Sequence, residues 1–273
     1  MIPAVCTIAA ILVILLAAYL IALSPRRNHP GWDKLAAFRY AHRGLHDLDQ
    51  GICENSMTAF RRAVEHGYGA ELDVHLLKDG TLAVFHDSTL KRICGADGII
   101  EDLTAAQLSN YHLSGTEDTI PLFTDVLAVF EEKTPLIIEL KVVNGNAAAL
   151  TDAVMAVLKN WKGTYCIESF HPGVVAHLKK RYPDVIRGQL SENFLHAGTI
   201  SRGKAFLMTF LLTTALTKPD FIAYKHQDRA NISLRLMRRL YRVHEVGWTI
   251  REQEIMEKLE KDGVTPIFEN FIP

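Results

Sequence analysis

Polar and apolar positions alternate with a period of two from Ala70 to Leu77. This places Glu71, Asp73 and His75 on one face of a strand and Leu72, Val74 and Leu76 on the other. Lys78, Asp79, Gly80 and Thr81 supply turn chemistry, because glycine tolerates positive φ and aspartate bonds its own backbone; residues 81–85 then return to β-rich sequence. With Leu77 opposite Leu82, the hairpin sets His75 against Val84 and Asp73 against His86, bringing an imidazole beside two carboxylates.

The rest of the chain alternates short apolar runs with stretches of helical spacing. Residues 38–41 are β-like and precede a helical pattern over 55–66. A buried-strand run at 135–142 leads to a helix over 147–161, and a strand at 165–170 leads to a helix over Pro172–Arg181 with proline in its first turn. Further strands are predicted at 185–190, 220–224, 245–250 and 264–269, with helices at about 231–242 and 252–262. A parallel neighbour requires a crossover of a dozen or more residues, so the arm at 81–85 is an antiparallel excursion and eight strands remain. Eight βα repeats predict an α/β fold, a (β/α)8 TIM barrel, with a small insertion after the second strand over about residues 76–120. In such a barrel the site lies at the carboxyl ends of the strands, where His42, Asp73, Glu139, Lys141 and Trp248 all fall.

Two apolar stretches fall outside this pattern. Ile2–Leu23 carries no charge and Arg26 is the first charged residue, a length sufficient for a transmembrane helix. The start lacks the basic region and small-residue cleavage site of a secretory signal, so an uncleaved single-pass anchor is predicted at residues 1–24, followed by a linker at 25–35 and the barrel at 36–273. Arg26, Arg27, Lys34 and Arg39 follow the span and no basic residue precedes it, which places the barrel on the cytoplasmic side of the cell membrane. Residues 205–216 are apolar nearly all round. Such a helix is either buried against a neighbour or dips into the bilayer beside the anchor, being too short to span it.

The net charge of −1, with acids and bases interspersed, provides no basic footprint and excludes nucleic acid as a partner. Cys6 lies in the anchor and Cys53, Cys94 and Cys166 have no paired spacing, so neither a disulfide framework nor a zinc motif is present; Cys53 reads as an ordinary thiol. Composition leaves the oligomeric state open.

The chemistry-bearing residues fall into ordered motifs: His42-Arg43-Gly44, Glu54-Asn55 followed by Ala59-Phe60, Glu71-Leu72-Asp73-Val74, Lys78-Asp79-Gly80, His86-Asp87, Ile138-Glu139-Leu140-Lys141, Ser169-Phe170-His171-Pro172 and Trp248-Thr249. Together they resemble the signature of the glycerophosphodiester phosphodiesterases, as a membrane-anchored member of bacterial type, over about residues 38–270. The pattern departs at Glu269-Asn270, where the family often has an acidic pair, and at about 194–218, which is longer and more apolar.

The resemblance implies hydrolysis of a glycerophosphodiester to glycerol 3-phosphate and an alcohol with a divalent cation. Glu71, Asp73 and Glu139 are hard oxygen donors for Mg2+, Ca2+ or Mn2+. His42 and His86 are the implied acid and base, in an unassigned order, and the nucleophile is water or the substrate's own glycerol hydroxyl. Arg43 and Lys141 would stabilise charge on the phosphate. Glu54 would join through the metal or the glycerol hydroxyls, Asn55 through helix capping or the site, and Trp248 as an apolar wall or a core residue. His46, His75, His112, His171 and His226 read as surface or supporting residues. Two other readings stay open: a lysophospholipase D-type enzyme acting on lysophospholipids at the membrane, and a silent barrel that binds phosphodiesters without cleaving them.

Overall fold

The computed structural model describes residues 2–26 and 29–273; Met1, Arg27 and Asn28 lie outside it, and with Arg27 one of the four charges that bear on orientation. Eight parallel strands close on themselves. They are β1 (Tyr40–Ala41), β2 (Gly69–Leu76), β4 (Leu136–Leu140), β5 (Tyr165–Ser169), β6 (Arg187–Ser191), β7 (Phe221–Lys225), β8 (His244–Ile250) and β9 (Val264–Phe268), with β1 hydrogen-bonded to both β9 and β2. The additional β3 (Leu82–Val84) runs antiparallel to β2. The barrel and its inserted arm are those predicted from the repeat count.

Alternation along the strands sorts side chains into two layers. Tyr40, Ile137, Cys166, Leu190, Phe221, Ala223, Val246 and Ile267 fill the barrel interior. Leu72, Val74, Ile138, Leu140 and Ile167 instead pack outward on helices Met57–Glu65, Phe123–Phe130, Ala147–Leu158 and Pro172–Arg181 through Phe60, Phe123, Leu150 and Val174. Each such side chain contributes roughly 1.5–3 kcal/mol by leaving water. Gly188 is required here: a Cβ would approach the Phe221 ring to 2.2 Å, so that ring fills the barrel only because β6 has no side chain there. Part of the stretch read as a linker packs beneath the barrel, where Trp32 stacks on His244 at 4.6 Å and lies 5.1 Å from Phe221.

Three local predictions need correction. The hairpin register is one residue from that expected, with Leu76 opposite Leu82, His75 opposite Ala83 and Val74 opposite Val84. The turn closes by a bond from the Leu77 amide to the Thr81 carbonyl (2.8 Å), with Gly80 at φ +85° and the Thr81 amide donating to Asp79 Oδ1 (3.1 Å), so Leu77 belongs to the turn. The cap of helix Met57–Glu65 is Ser56, whose Oγ accepts from the Ala59 amide, and not Asn55. The helix predicted at 231–242 is Ile232–Leu236 followed by a π-helical turn, Met237–Tyr241, which ends at Arg242 with φ +53°.

Residues 194–217 form three short helices, Phe194–Ala197, Arg202–Thr209 and Thr214–Thr217. The apolar run breaks at Leu211, which is fully buried at φ +56°. Beyond it the Thr214 and Thr217 hydroxyls bond preceding carbonyls of their own segment. The first helix, α1 (Ile2–Leu23), is exposed from Val5 to Ala18 and is held at its last turn, where Leu23 packs with Leu211, Ile222, Tyr224, Leu234 and Met237.

Candidate active site

Strands β2, β4 and β5 lie in a register that aligns Asp73 with Glu139 and Glu139 with Glu168. Because inward positions alternate, Glu71, Asp73, Glu139 and Glu168 share the barrel interior near its carboxyl end, and all four are buried. One oxygen from each of Glu71, Asp73 and Glu139 falls within 4.8 Å of the others. Two cations answer these carboxylates. Lys141 Nζ lies 2.8 Å from both Asp73 Oδ1 and Glu139 Oε1, and Arg43 Nε lies 3.5 Å from Asp73 Oδ2. Four acids against two bases leave a deficit of two positive charges at full ionisation.

Burial pushes the Glu71 carboxyl well above its ordinary range, and Asp73 and Glu139 push it further. Burial also raises Glu139 despite Lys141, and raises Glu168, which faces Glu139. Asp73 goes the other way: although buried, it is held far below the usual carboxylate range by Lys141, His86 and Arg43. Raised acids gathered around an oxygen-rich space with missing positive charge are what a divalent cation relieves, so the donor set fits a hard metal ion.

Arg43 is placed by its backbone. At φ +55° its amide donates to Glu71 Oε2 (3.1 Å) and its carbonyl accepts from the Asn55 amide, while the Asn55 side chain donates to Asp73 Oδ2 (2.8 Å). Asn55 thus fixes a carboxylate. Arg43 Nη1 donates to Glu54 Oε1 (2.7 Å), and Arg92 takes both Glu54 oxygens at 2.8 Å. Burial works to raise the Glu54 carboxyl, but Arg92 and Arg43 pull it down to about 2. Glu54 is therefore a clasp between two arginines, outside the triad.

Both imidazoles are backed by carboxylates. His42 follows β1 and its Nδ1 lies 2.5 Å from Glu269 Oε2; Glu269 in turn accepts from Arg251 Nε (2.7 Å). His86 leaves the inserted arm, and its Nδ1 lies 2.6 Å from Asp87 Oδ1, which Arg92 also holds. Each Nε2 is thereby left for the site, with His42 Nε2 at 3.9 Å from Glu71 Oε2. Burial lowers both histidines: His42 against the opposing effect of Glu269, and His86 to about 4, with Lys141 and Arg43 contributing. His75, paired with Glu101 at 2.6 Å and 3.3 Å from the His86 carbonyl, supports the arm and does not enter the site.

Across the mouth the walls are aromatic. Phe170 meets Trp248 edge-on at 5.6 Å and Phe194 at 5.9 Å, and Trp248 Nε1 is buried without a partner among the described residues. The structure thus groups His42, Arg43, Glu71, Asp73, His86, Glu139 and Lys141, sets Glu54 at their edge, and puts Trp248 on the facing wall. Sequence reasoning overlooked Glu168 and the role of Glu269. The inward alternation of Cys166 and Glu168 was the available sign for the first; for the second, only the place of Glu269 at the end of the last strand.

Comparison with known proteins agrees with this geometry. The model of the glycerophosphoryl diester phosphodiesterase family matches residues 42–273. A glycerophosphodiester phosphodiesterase from Bacillus altitudinis is 31% identical over 169 residues, covering 58% of this chain and 67% of that protein. A lysophospholipase D from Rattus norvegicus is 35% identical over 122 residues, 40% of this chain and 38% of that protein. In fold, a phosphodiesterase from Oleispira antarctica, solved in complex with the product sn-glycerol-3-phosphate, superposes with a TM-score of 0.68 at 22% identity, over 85% of this chain and 92% of that one. The chain belongs to the glycerophosphoryl diester phosphodiesterase family and is a phosphoric diester hydrolase.

Proposed function

We propose that this enzyme hydrolyses glycerophosphodiesters to glycerol 3-phosphate and an alcohol at the barrel mouth, with the exposed turns of α1 inserted in the membrane as a single span and the barrel on the cytoplasmic side. The observation that carries the catalytic reading is the pair of imidazoles, each oriented by a carboxylate at Nδ1, beside the buried triad Glu71, Asp73 and Glu139.

The triad would hold Mg2+, Ca2+ or Mn2+, which when bound neutralises phosphate charge and lowers the pKa of a coordinated hydroxyl or water. Arg43 and Lys141 direct N–H groups at the non-bridging phosphate oxygens as charge builds there; their own ion pairs keep them in place. His86, kept neutral, accepts the proton of the attacking hydroxyl at Nε2. His42 carries the proton for the departing alkoxide, because the ionised Glu269 behind it stabilises an imidazolium. Trp248 and Phe170 face the alcohol. A lysophospholipid is the second reading of the substrate, favoured by this aromatic wall. The test is a product assay: the full chain releases glycerol 3-phosphate from glycerophosphocholine, and His42→Ala, with an unchanged melting profile, lowers release by at least about 10²-fold. Normal turnover in that variant would sink the mechanism.

A further inference from the structure

Four of the nine large exposed apolar side chains outside α1, among the described residues, stand on two neighbouring segments of the barrel. Leu195, Phe206, Leu207 and Ile232 are each about half exposed and stand on the segments that follow β6 and β7, at the carboxyl-end face where the mouth opens. Helix Arg202–Thr209 is held by buried Ala205 and Thr209, with the Met208 carbonyl accepting from Ser191 Oγ, and it turns Phe206 and Leu207 to solvent beside exposed Arg202 and Lys204. Inward of Leu195, Phe194 packs on Phe170 and through it on Trp248, so apolar surface runs from the rim into the mouth.

The docking of α1 fixes which way that rim faces. In a helix, side chains tilt toward the N-terminus and carbonyls point toward the C-terminus. Tyr19 reaches Ser233 Oγ (2.8 Å), near the start of the helix that leaves the mouth, whereas the Leu20 carbonyl accepts from Tyr241 (2.6 Å), at the far end of the same segment. Arg26 continues to Asp220, just before β7 begins. α1 therefore descends along the barrel wall, and its free turns leave on the mouth side. From Tyr19 onward α1 is tied to the barrel, its final carbonyls accepting from Thr214 and Lys218.

We infer that the rim formed by Leu195, Phe206, Leu207 and Ile232 is a membrane-contact surface, seated in the interface of the bilayer that α1 crosses, with the catalytic mouth opening onto the lipid. Arg202 and Lys204 then lie at headgroup depth, where cationic side chains attract anionic lipid. The consequence for substrate rests on the proposed function: a glycerophosphodiester carrying an acyl chain enters from the leaflet along Phe194, without crossing water.

The test uses the full chain in phosphatidylcholine bilayers whose acyl chains are brominated near the headgroup. The emission added by Phe206→Trp is quenched about twofold, while that added by Lys133→Trp, at the opposite end of the barrel, is not; equal behaviour overturns the contact surface, as it would if a second copy of the chain covered the rim. A second arm combines Phe206→Asp with Leu207→Asp. Hydrolysis of lysophosphatidylcholine in the same bilayer falls about tenfold and that of soluble glycerophosphocholine is unchanged; an equal loss on both also overturns it. If the unaltered chain cleaves neither compound, the functional reading fails while the quenching result still decides the surface.

Discussion

The two sides of the barrel mouth are built from opposite materials. The side formed by β1, β2, β4 and the inserted arm carries His42, Arg43, Glu71, Asp73, His86, Glu139 and Lys141, nearly every one in a charged or hydrogen-bonded pair. The side formed by the ends of β5 and β8 and the segment after β6 carries Phe170, Trp248 and Phe194, which touch one another through ring edges. A buried charge costs far more than a buried ring unless it is paired, so the polar side is held by mutual constraint and tolerates few changes. The aromatic side is held by packing, which accepts substitution at modest cost. On the proposed function the comparison divides the labour: one side performs the phosphoryl chemistry and the other receives the alcohol.

Breaking the polar side away from its carboxylate triad gives the larger effect. Glu269→Gln leaves the His42 ring in place but removes the charge behind it, and kcat on a glycerophosphodiester falls about 10–100-fold with KM nearly unchanged. Glu269 raises the His42 pKa, so its loss lowers it. If His42 is the acid, the alkaline limb of the kcat profile moves to lower pH; an unmoved limb would show that Glu269 is merely structural.

Changing the aromatic side sharpens the contrast. Trp248→Ala lowers kcat/KM about tenfold for substrates with a bulky or acyl-bearing alcohol, less for those with a small alcohol, and leaves cation affinity by titration calorimetry at its original value. A loss of metal affinity would show that the two sides are not independent.

How much of this division was legible in the chain follows from the range of the forces involved. The alternation over 70–77 revealed that Glu71 and Asp73 share a face, and Pro172 at a first helical position marked a helix whose ends match the structure at both residues. Lys141 follows Glu139 by two positions and needed only strand geometry. The pairing of His42 with Glu269 joins residues 227 apart, which no local pattern encodes. The hairpin register hinged on which residue closes a short turn, a difference of one backbone hydrogen bond. The break at Leu211 arises because α1 and β7 bury that residue, a tertiary effect that overrides helical propensity. Glu168 shares its inward alternation with Cys166, but only the register of β5 against β4 sets it beside Glu139.

The smallest effect expected is on stability against acid. His86 is lowered to about 4 in the folded chain, against about 6.5 when unfolded. The unfolded chain thus binds the proton first, and stability falls as pH drops from about 6.5 to 4. Glu54 and Asp87, each held at about 2 by Arg92 against their burial, add their loss below the ordinary carboxylate range. Thermal unfolding midpoints followed over this window should slope less steeply in His86→Asn, and an identical slope would remove His86 as the cause.

The most direct test of the division of labour is the cation requirement of product release. The full chain, stripped by a chelator and supplied with glycerophosphocholine, should release no glycerol 3-phosphate until Mg2+, Ca2+ or Mn2+ is restored, and Trp248→Ala should show the same requirement. Undiminished release from the stripped enzyme would contradict the account.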